Sequence, residues 1–372
     1  MLVGIPKELK DHEFRVGATP AGVRTLVEAG HRVLVEADAG AAIGYGNALY
    51  AAAGADIVAT AAEVYAAELI VKVKEPLPAE WPLLHEGQIV FGYFHLAPAP
   101  ELTAALLARN IVAIAYETIT DSQGATPLLT PMSEVAGRLS VQAGATALQM
   151  AYGGNGTLLG GVPGVLPAKV VILGGGVVGT NAAKIAIGMG ADVTLLDISH
   201  ARLRQLDDIF GARLKTCYSD AHAIAELTRD ADLVIGAIYL HGKRARKLLT
   251  RATLAAMRPG SVLVDVAIDQ GGCSETSRPT THSDPLYVEE GVVHYCVGNM
   301  PAAVARTSTQ ALTQVTLPYA LRIANLGWKA ALKDNAGLRN GLNLCLGQVT
   351  HPAVAEDLGY PWVASESLLN KG

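Results

Sequence analysis

Three glycines and one aspartate form the part of this sequence with the clearest chemistry. Gly174, Gly176 and Gly179 follow the apolar run 170–173 with G-x-G-x-x-G spacing, and Asp197 ends the next apolar run. In such a unit the glycines allow a tight strand-to-helix turn, the approach of a pyrophosphate to the backbone, and close packing of helix on strand. An acid about twenty residues later suits a ribose 2′-hydroxyl and repels a 2′-phosphate. The stretch therefore predicts a Rossmann unit that binds NAD rather than NADP.

Four further polar side chains lie near the predicted ends of strands. Lys74, His95 and Asp269 each follow an apolar run, and Arg15 lies on the long loop after the first strand. Ligands of open α/β sheets bind at the carboxyl ends of strands. Arg15 and Lys74 suit a substrate carboxylate, His95 can exchange protons near neutral pH, and Asp269 can take or orient a proton. Taken alone, however, a histidine at a strand end is more often structural, a lysine is more often solvated, and an aspartate before glycines is a common turn residue.

Composition limits the classes of function. The chain has 372 residues, half of them hydrophobic, which is enough for two domains with sizeable cores. Its net charge of −5 gives no basic field for nucleic acid. The four cysteines have neither metal-ligand spacing nor the density of a disulfide framework, so we expect no metal and a reducing, cytoplasmic location. The N-terminus lacks a signal-peptide core, and glycines and prolines interrupt the long uncharged stretch, so no membrane association is expected.

The order of elements predicts the fold class. Strands alternate with helices along most of the chain, which indicates parallel sheets covered by helices on both faces. We expect two doubly wound α/β domains, with a Rossmann NAD-binding domain (129–306) inserted in a discontinuous, flavodoxin-like substrate domain (1–128 plus 307–372). Ser133 is predicted to be the N-cap of a long helix that continues to about residue 151.

A set of short runs adds a resemblance to these observations. The sequence resembles the alanine dehydrogenases over nearly its whole length, through the runs KVKEPLP (72–78), HLA (95–97), AYET (115–118), LLTPMSEVAGR (128–138), LLGGVPGV (158–165), GGGVVGTNAAK (174–184), PGSVLVDVAIDQGG (259–272), THS (281–283) and RTST (306–309). The resemblance implies reversible, NAD-dependent oxidative deamination of L-alanine to pyruvate and ammonium, carried out by a homohexamer.

The resemblance also implies roles for single residues. It places Arg15 and Lys74 on the substrate carboxylate and carbonyl, and His95 and Asp269 in acid–base catalysis. Beyond the glycines and Asp197, it implies cofactor contacts for Ser133, Val177, Val178, Arg202, Ser219, Tyr239, Leu240, Val266, Ala267, Ile268, Asp269, Arg278, Val297, Gly298, Asn299 and Met300.

Other functions remain open from the sequence. The nearest alternative is the soluble NAD(H)-binding subunit of a proton-translocating transhydrogenase, which shares the fold and would need a membrane partner. A 2-hydroxy-acid dehydrogenase would turn over pyruvate without ammonium, and a non-catalytic NAD(H) sensor would show no turnover at all.

Overall fold

The structure is a computed structural model that describes residues 1–238 and 245–369. In this part of the chain the strands are β1 (Leu2–Ile5), β2 (Arg32–Glu36), β3 (Asp56–Val58), β4 (Leu69–Val71), β5 (Ile89–Gly92), β6 (Val112–Ala115), β7 (Lys169–Leu173), β8 (Asp192–Asp197), β9 (Lys215–Tyr218), β10 (Leu233–Gly236), β11 (Val262–Asp265), β12 (Leu286–Glu289), β13 (Val292–Tyr295), β14 (Leu342–Cys345) and β15 (Gln348–Val349).

Helices alternate with these strands. They are α1 (Pro20–Glu28), α2 (Asn47–Ala52), α3 (Ala61–Val64), α4 (Pro100–Ala108), α5 (Thr130–Ala147), α6 (Val177–Gly188), α7 (His200–Phe210), α8 (Ala221–Arg229), α9 (Arg251–Ala255), α10 (Ala305–Leu326), α11 (Trp328–Asp334), α12 (Ala336–Arg339), α13 (Pro352–Leu358) and α14 (Ser365–Leu369). Among the described residues, no helix is long and apolar enough to cross a membrane, and no group of three metal-ligating side chains is found.

The chain divides into two compact units. The first comprises residues 1–132 and 304–372, and the second comprises residues 133–303. The sequence analysis placed the domain boundaries after residues 128 and 306. Those boundaries remain a prediction.

The first unit is built on an eight-stranded sheet with the order β15-β14-β6-β5-β4-β1-β2-β3. The strands from β6 to β3 are parallel, and β14 and β15 add an antiparallel edge. Apart from the short edge strand β3, the parallel strands follow the flavodoxin order 2-1-3-4-5. Strands β4, β5 and β6 are buried along their whole length, as expected for strands covered on both faces.

The second unit has a seven-stranded sheet with the order β12-β13-β11-β10-β7-β8-β9. Counted from β7, the parallel strands follow the Rossmann order 3-2-1-4-5 and continue through β13, while β12 pairs antiparallel at the edge. The predicted α/β class with two doubly wound domains is confirmed.

The local sequence explains where most helices begin. The Thr19 hydroxyl accepts a hydrogen bond from Gly22 N, and Pro20 takes the first helical position. The prediction of Ser133 as an N-cap is wrong, because α5 begins at Thr130 and Ser133 lies inside its first turns. Pro131 explains the earlier start, since a proline in the first turn needs no hydrogen-bond partner for its nitrogen. The helix also ends at Ala147, before the predicted residue 151.

A fully buried group of charges lies beneath the carboxyl end of β4. Lys72 Nζ is 3.2 Å from Glu8 Oε2 and 3.0 Å from Glu80 Oε1, and all three side chains are almost completely buried. The Tyr65 hydroxyl donates to Glu80 Oε1 at 2.7 Å. Burial raises the pKa of the Glu8 carboxyl, although Lys72 opposes the rise. The two carboxylates therefore depend on one lysine for their compensating charge.

We predict that Lys72→Met lowers the free energy of unfolding by about 3–5 kcal/mol, because it leaves Glu8 and Glu80 buried without a cation. Urea unfolding measures the change. Arg32→Met is the matched control, since Arg32 Nε lies 2.7 Å from Asp56 in a pair whose arginine side chain is 72% exposed. Such surface pairs contribute little, so the control should change stability far less.

The loss caused by Lys72→Met should also shrink as the pH falls. Burial already raises the pKa of Glu8, and removal of the cation raises it further. A carboxyl whose folded pKa is raised favours the fold below its unfolded pKa, and that contribution is lost as the pH rises through the folded value. Equal losses at about pH 5 and about pH 8 would argue that the carboxylates are not the cause.

Candidate functional site

The glycine-rich turn of the second unit joins β7 to α6. Gly174 has φ +104°, and a Cβ there would lie 2.7 Å from Ala237 O. A Cβ on Gly179 would lie 1.8 Å from Gly174 O, so only glycine allows the helix to pack this closely on the turn. Gly176, the N-cap residue of α6, faces open space instead. Among the described residues, no atom lies within 4 Å of a Cβ on Gly176, so the turn presents the N-terminus of a twelve-residue helix in a form that suits a phosphate.

Asp197 ends β8 and closes over the same turn. Its Oδ2 accepts a hydrogen bond from Gly175 N at 2.7 Å, and its Oδ1 accepts one from Ser199 N at 2.8 Å. The carboxylate therefore fixes the backbone of the glycine turn in addition to any part it plays toward a ribose. Gly175 is a partner that the sequence analysis did not single out.

Arg202 reaches across the turn from α7. Its Nε donates to Gly175 O at 2.6 Å, and its Nη2 donates to Thr180 Oγ1 at 2.7 Å. These bonds hold a guanidinium beside the N-terminus of α6, where its charge favours an anion. Ser219, which follows β9, is tied to the same place through its backbone N–H, which donates to Asp197 O at 3.0 Å.

Asp269 lies beside the turn 297–300 of the same unit. It belongs to a short 3-10 segment, Val266–Gln270, and is exposed. A Cβ on Gly298 would lie 3.1 Å from Asp269 Oδ1, so the carboxylate packs against that backbone. In the turn, Asn299 has φ +60°, and His282 Nε2 lies 3.2 Å from Asn299 O. A carboxylate is therefore held next to a turn with unusual backbone geometry.

Arg278 rests on an aromatic ring. Its guanidinium carbon lies 3.9 Å from the centroid of the Tyr287 ring, and its backbone N–H donates to the Tyr287 hydroxyl at 3.0 Å. The cation–π contact and the hydrogen bond together fix the orientation of the Arg278 side chain.

The remaining predicted cofactor positions fall on four elements. Val177 and Val178 open α6, Ser133 lies on α5, residues 266–268 belong to the 3-10 segment, and residues 297 and 300 flank the turn after β13. Helix α5 packs closely on α6, since a Cβ on Gly137 would lie 2.2 Å from Val178 O. Tyr239 and Leu240 lie outside the described residues. All of these positions remain predictions of cofactor contacts.

In the first unit, three predicted site residues follow three adjacent strands. Arg15 lies on the loop after β1, Lys74 follows β4, and His95 follows β5, and the sheet order is β5-β4-β1. The carboxyl ends of these parallel strands meet at one edge of the sheet. The topology therefore brings the three residues to one edge.

Arg15 is held by an acid that the sequence analysis did not single out. Its Nε and Nη2 donate to Glu13 Oε1 and Oε2 at 2.6 and 2.5 Å, in a buried bidentate pair. Nη1 lies 3.2 Å from Met132 Sδ. The fork fixes the plane of the guanidinium, which gives it one orientation toward a carboxylate.

Lys74 is held by its backbone and surrounded by charge. Glu8 Oε1 accepts hydrogen bonds from Val73 N at 2.6 Å and from Lys74 N at 3.4 Å. Burial lowers the pKa of the Lys74 ammonium, Glu75 opposes this, and Arg15 and Lys10 lower the pKa further. Glu13 also opposes the shift, so Lys74 lies among charges of both signs, and an anion beside it would favour its charged form.

His95 is held in a left-handed backbone conformation, with φ +49°. Glu117 Oε1 accepts hydrogen bonds from His95 N at 2.6 Å and from Phe94 N at 3.1 Å, and His95 Nδ1 lies 4.0 Å from the same oxygen. The imidazole itself is half exposed and stacks on Tyr93. The Glu117 carboxylate thus stabilises the strained backbone at His95, and the imidazole ring remains accessible.

Glu8, Glu13 and Glu117 are the functional candidates of this unit that the sequence analysis missed. Each holds the backbone or the side chain of a predicted site residue. The available signal was their position, since Glu8 and Glu13 lie on the loop that carries Arg15, and Glu117 follows the apolar run 111–115. An isolated acid in such a stretch is also typical of a solvated loop, so spacing alone does not identify it.

Comparisons with known proteins agree along the whole chain. The family described as "Alanine dehydrogenase/PNT, N-terminal domain" matches residues 4–136, and the corresponding C-terminal domain family matches residues 140–352. A protein of Methanococcus maripaludis named alanine dehydrogenase is 55% identical over 373 residues, which cover 100% of both chains.

Two solved structures are similar in fold. One named L-alanine dehydrogenase has a TM-score of 0.94 and 52% identity, and covers 96% of this chain and 99% of its own. A transhydrogenase from Sinorhizobium meliloti has a TM-score of 0.80 and 25% identity, and covers 95% of this chain and 100% of its own. The transhydrogenase is thus the more distant of the two.

The glycine turn yields a prediction with an internal control. Gly179→Ala should destabilise the protein by more than about 3 kcal/mol or prevent folding, because its Cβ would meet a backbone oxygen. Gly176→Ala adds a Cβ that meets nothing within 4 Å at φ −67°, so stability should change by less than about 1 kcal/mol.

NADH affinity should respond in Gly176→Ala even though its fold does not. The added methyl group obstructs the helix N-terminus, so affinity should fall at least about fivefold, the equivalent of roughly one hydrogen bond. Thermal unfolding and NADH fluorescence titration measure the two effects. Wild-type affinity in Gly176→Ala would mean that phosphates do not approach this turn.

Proposed function

The chain belongs to the alanine dehydrogenase/PNT family, and on that basis we propose that it is an NAD-dependent L-alanine dehydrogenase. The reaction converts L-alanine, NAD and water to pyruvate, ammonium, NADH and a proton, and it is reversible. The observation that carries the proposal is the 55% identity, over the full length of both chains, to a protein named alanine dehydrogenase.

The nucleotide unit fits NAD. Gly176 leaves the N-terminus of α6 open to a pyrophosphate, and Asp197 ends the neighbouring strand, where a carboxylate accepts hydrogen bonds from a ribose and repels a 2′-phosphate. When bound, NAD accepts a hydride from Cα of L-alanine. We assign its contacts to the three motif glycines, Asp197, and the other cofactor positions predicted from the sequence, with Arg202 and Arg278 as the cations.

The first unit supplies the substrate contacts in this proposal. Arg15, oriented by Glu13, binds the carboxylate of alanine or pyruvate, and Lys74 adds a second positive charge and contacts the carbonyl. Together these two cations fix the substrate by its carboxylate end.

In this proposal His95 transfers protons, and Asp269 stabilises the charge that develops during the reaction. Loss of hydride from Cα leaves an iminium carbon, water adds to it, and the carbinolamine breaks its C–N bond to give pyruvate and ammonia. His95 takes a proton from the attacking water, passes it to the carbinolamine nitrogen so that ammonia can leave, and then takes the hydroxyl proton as the carbonyl forms. Asp269 orients water or ammonia, and its carboxylate stabilises the positive charge of the iminium.

The transhydrogenase alternative shares much of this machinery but predicts different behaviour. Such a subunit binds NAD(H) without needing a carboxylate site. The cationic pair formed by Arg15 and Lys74, together with the exposed imidazole of His95, favours a small acid as substrate. We extend the proposal to a homohexamer, as the resemblance to the family implies, and to a cytoplasmic location, as the sparse cysteines indicate.

Ammonium dependence tests the proposed function. NADH oxidation should require pyruvate and ammonium together, and L-alanine should support NAD reduction in the reverse assay. Loss of NADH absorbance measures the first and gain of absorbance the second. Pyruvate turnover that ignores ammonium would indicate a 2-hydroxy-acid dehydrogenase, and NADH binding without turnover would indicate a transhydrogenase subunit or a sensor.

The lowered pKa of Lys74 predicts how pyruvate binding depends on pH. As the pH rises through that lowered value, Lys74 loses its charge, so the KM for pyruvate should rise at saturating NADH and ammonium. Lys74→Arg keeps its charge throughout this range, so the same rise should be absent. If both proteins show the same pH dependence, another group controls binding.

A further inference from the structure

One buried carboxylate of the second unit has no part in the mechanism given above. Asp265 is the last residue of β11 and is fully buried. Its Oδ1 accepts a hydrogen bond from Ala267 N at 3.1 Å, and its Oδ2 accepts hydrogen bonds from Cys273 N at 2.8 Å and Ser277 Oγ at 2.5 Å. Three donors satisfy a charge that burial would otherwise make costly.

The three donors are distributed along a single loop. Ala267 lies at its start, Cys273 near its middle and Ser277 at its end. Asp269 lies between the first two donors, and Arg278 directly follows the third. One carboxylate therefore ties down both ends of the segment that carries the proposed proton-handling acid and a proposed cofactor arginine.

The surrounding backbone leaves little room for adjustment. Gly272 has φ +77°, and a Cβ there would lie 2.7 Å from Asp265 Oδ2. A Cβ on Gly236, in the neighbouring strand β10, would lie 2.3 Å from Cys273 Sγ. The loop therefore packs closely against the carboxylate and the adjacent strand.

We propose that Asp265 is a positioning residue that holds loop 266–278 so that Asp269 and Arg278 keep their working geometry. The inference rests on the proposed function, since it takes the roles of Asp269 and Arg278 from it. Asn is the sharpest replacement, because it has the same shape but offers an N–H₂ group where the carboxylate accepts from two donors. A displacement of about 1 Å at a catalytic group can cost up to about a hundredfold in rate.

Asp232 provides a matched control. It is a buried carboxylate at the amino end of the same sheet, directly before β10, and it accepts hydrogen bonds from Lys169 N at 2.9 Å and Asn155 Nδ2 at 3.1 Å. Asp232→Asn therefore disturbs a comparable group far from the carboxyl edge of the strands. It should lower thermal stability while kcat per folded enzyme stays at the wild-type value.

The test measures kcat, the KM for NADH and thermal unfolding in Asp265→Asn and Asp232→Asn. Asp265→Asn should lower kcat by about ten- to a hundredfold and raise the KM for NADH several-fold, in enzyme that is still folded. A folded Asp265→Asn enzyme with wild-type kcat and KM, differing only in stability as the control does, would overturn the proposal.

A second variant covers the case in which Asp265→Asn does not fold. Ser277→Ala removes one of the three hydrogen bonds and leaves the carboxylate in place, so it should lower kcat in the same direction by a smaller factor. Wild-type kcat in Ser277→Ala would then overturn the proposal.

Amide hydrogen exchange separates this inference from the proposed function. In Asp265→Asn, amide exchange should accelerate about tenfold or more across residues 266–278. If that variant does not fold, the same acceleration is expected in Ser277→Ala. In Asp232→Asn, exchange across these residues should stay unchanged. That comparison holds even if the wild-type protein does not turn over pyruvate and ammonium, an outcome that would refute only the proposed function. Unchanged exchange in the loop would refute the positioning role.

Discussion

Carboxylates that accept backbone N–H groups anchor the loops on which the proposed chemistry depends. Glu8 holds Val73, Glu117 holds His95, Asp197 holds Gly175, and Asp265 holds Cys273. Loops beyond the ends of strands have lost the ladder partners that satisfy backbone donors elsewhere in a sheet. A carboxylate can accept hydrogen bonds from several donors at once, each in a preferred direction. It therefore gives an irregular loop a defined shape.

This form of anchoring permits backbone geometry that the local sequence does not favour. His95 and Asn299 have positive φ, a conformation that costs a residue other than glycine about 1–2 kcal/mol. Two hydrogen bonds from residues 94 and 95 to Glu117 offset that cost at His95.

The fold class could be predicted from the sequence because the relevant signals are local. Apolar runs predicted the buried strands, and Gly174, Gly176 and Gly179 marked the turn between β7 and α6. Spacing could not reveal the buried ion group around Lys72 or the fork between Glu13 and Arg15, because a buried and a solvated acid look the same in a sequence. Ser133 was misplaced for a related reason, since serine is common both at N-caps and within first turns.

Several anchors differ in burial from several reactive groups, although Arg15 is a proposed substrate contact that is itself buried. A side chain that exchanges a proton or binds a cofactor must be reachable, and His95, Asp269 and Arg278 are exposed. A carboxylate that fixes a loop works best without water competing for its donors, and Glu8 and Asp265 are buried. Substitution of an exposed reactive group removes chemistry and leaves the fold, whereas substitution of a buried anchor changes both. The buried acids therefore contribute both to the stability of this protein and to the geometry of its site.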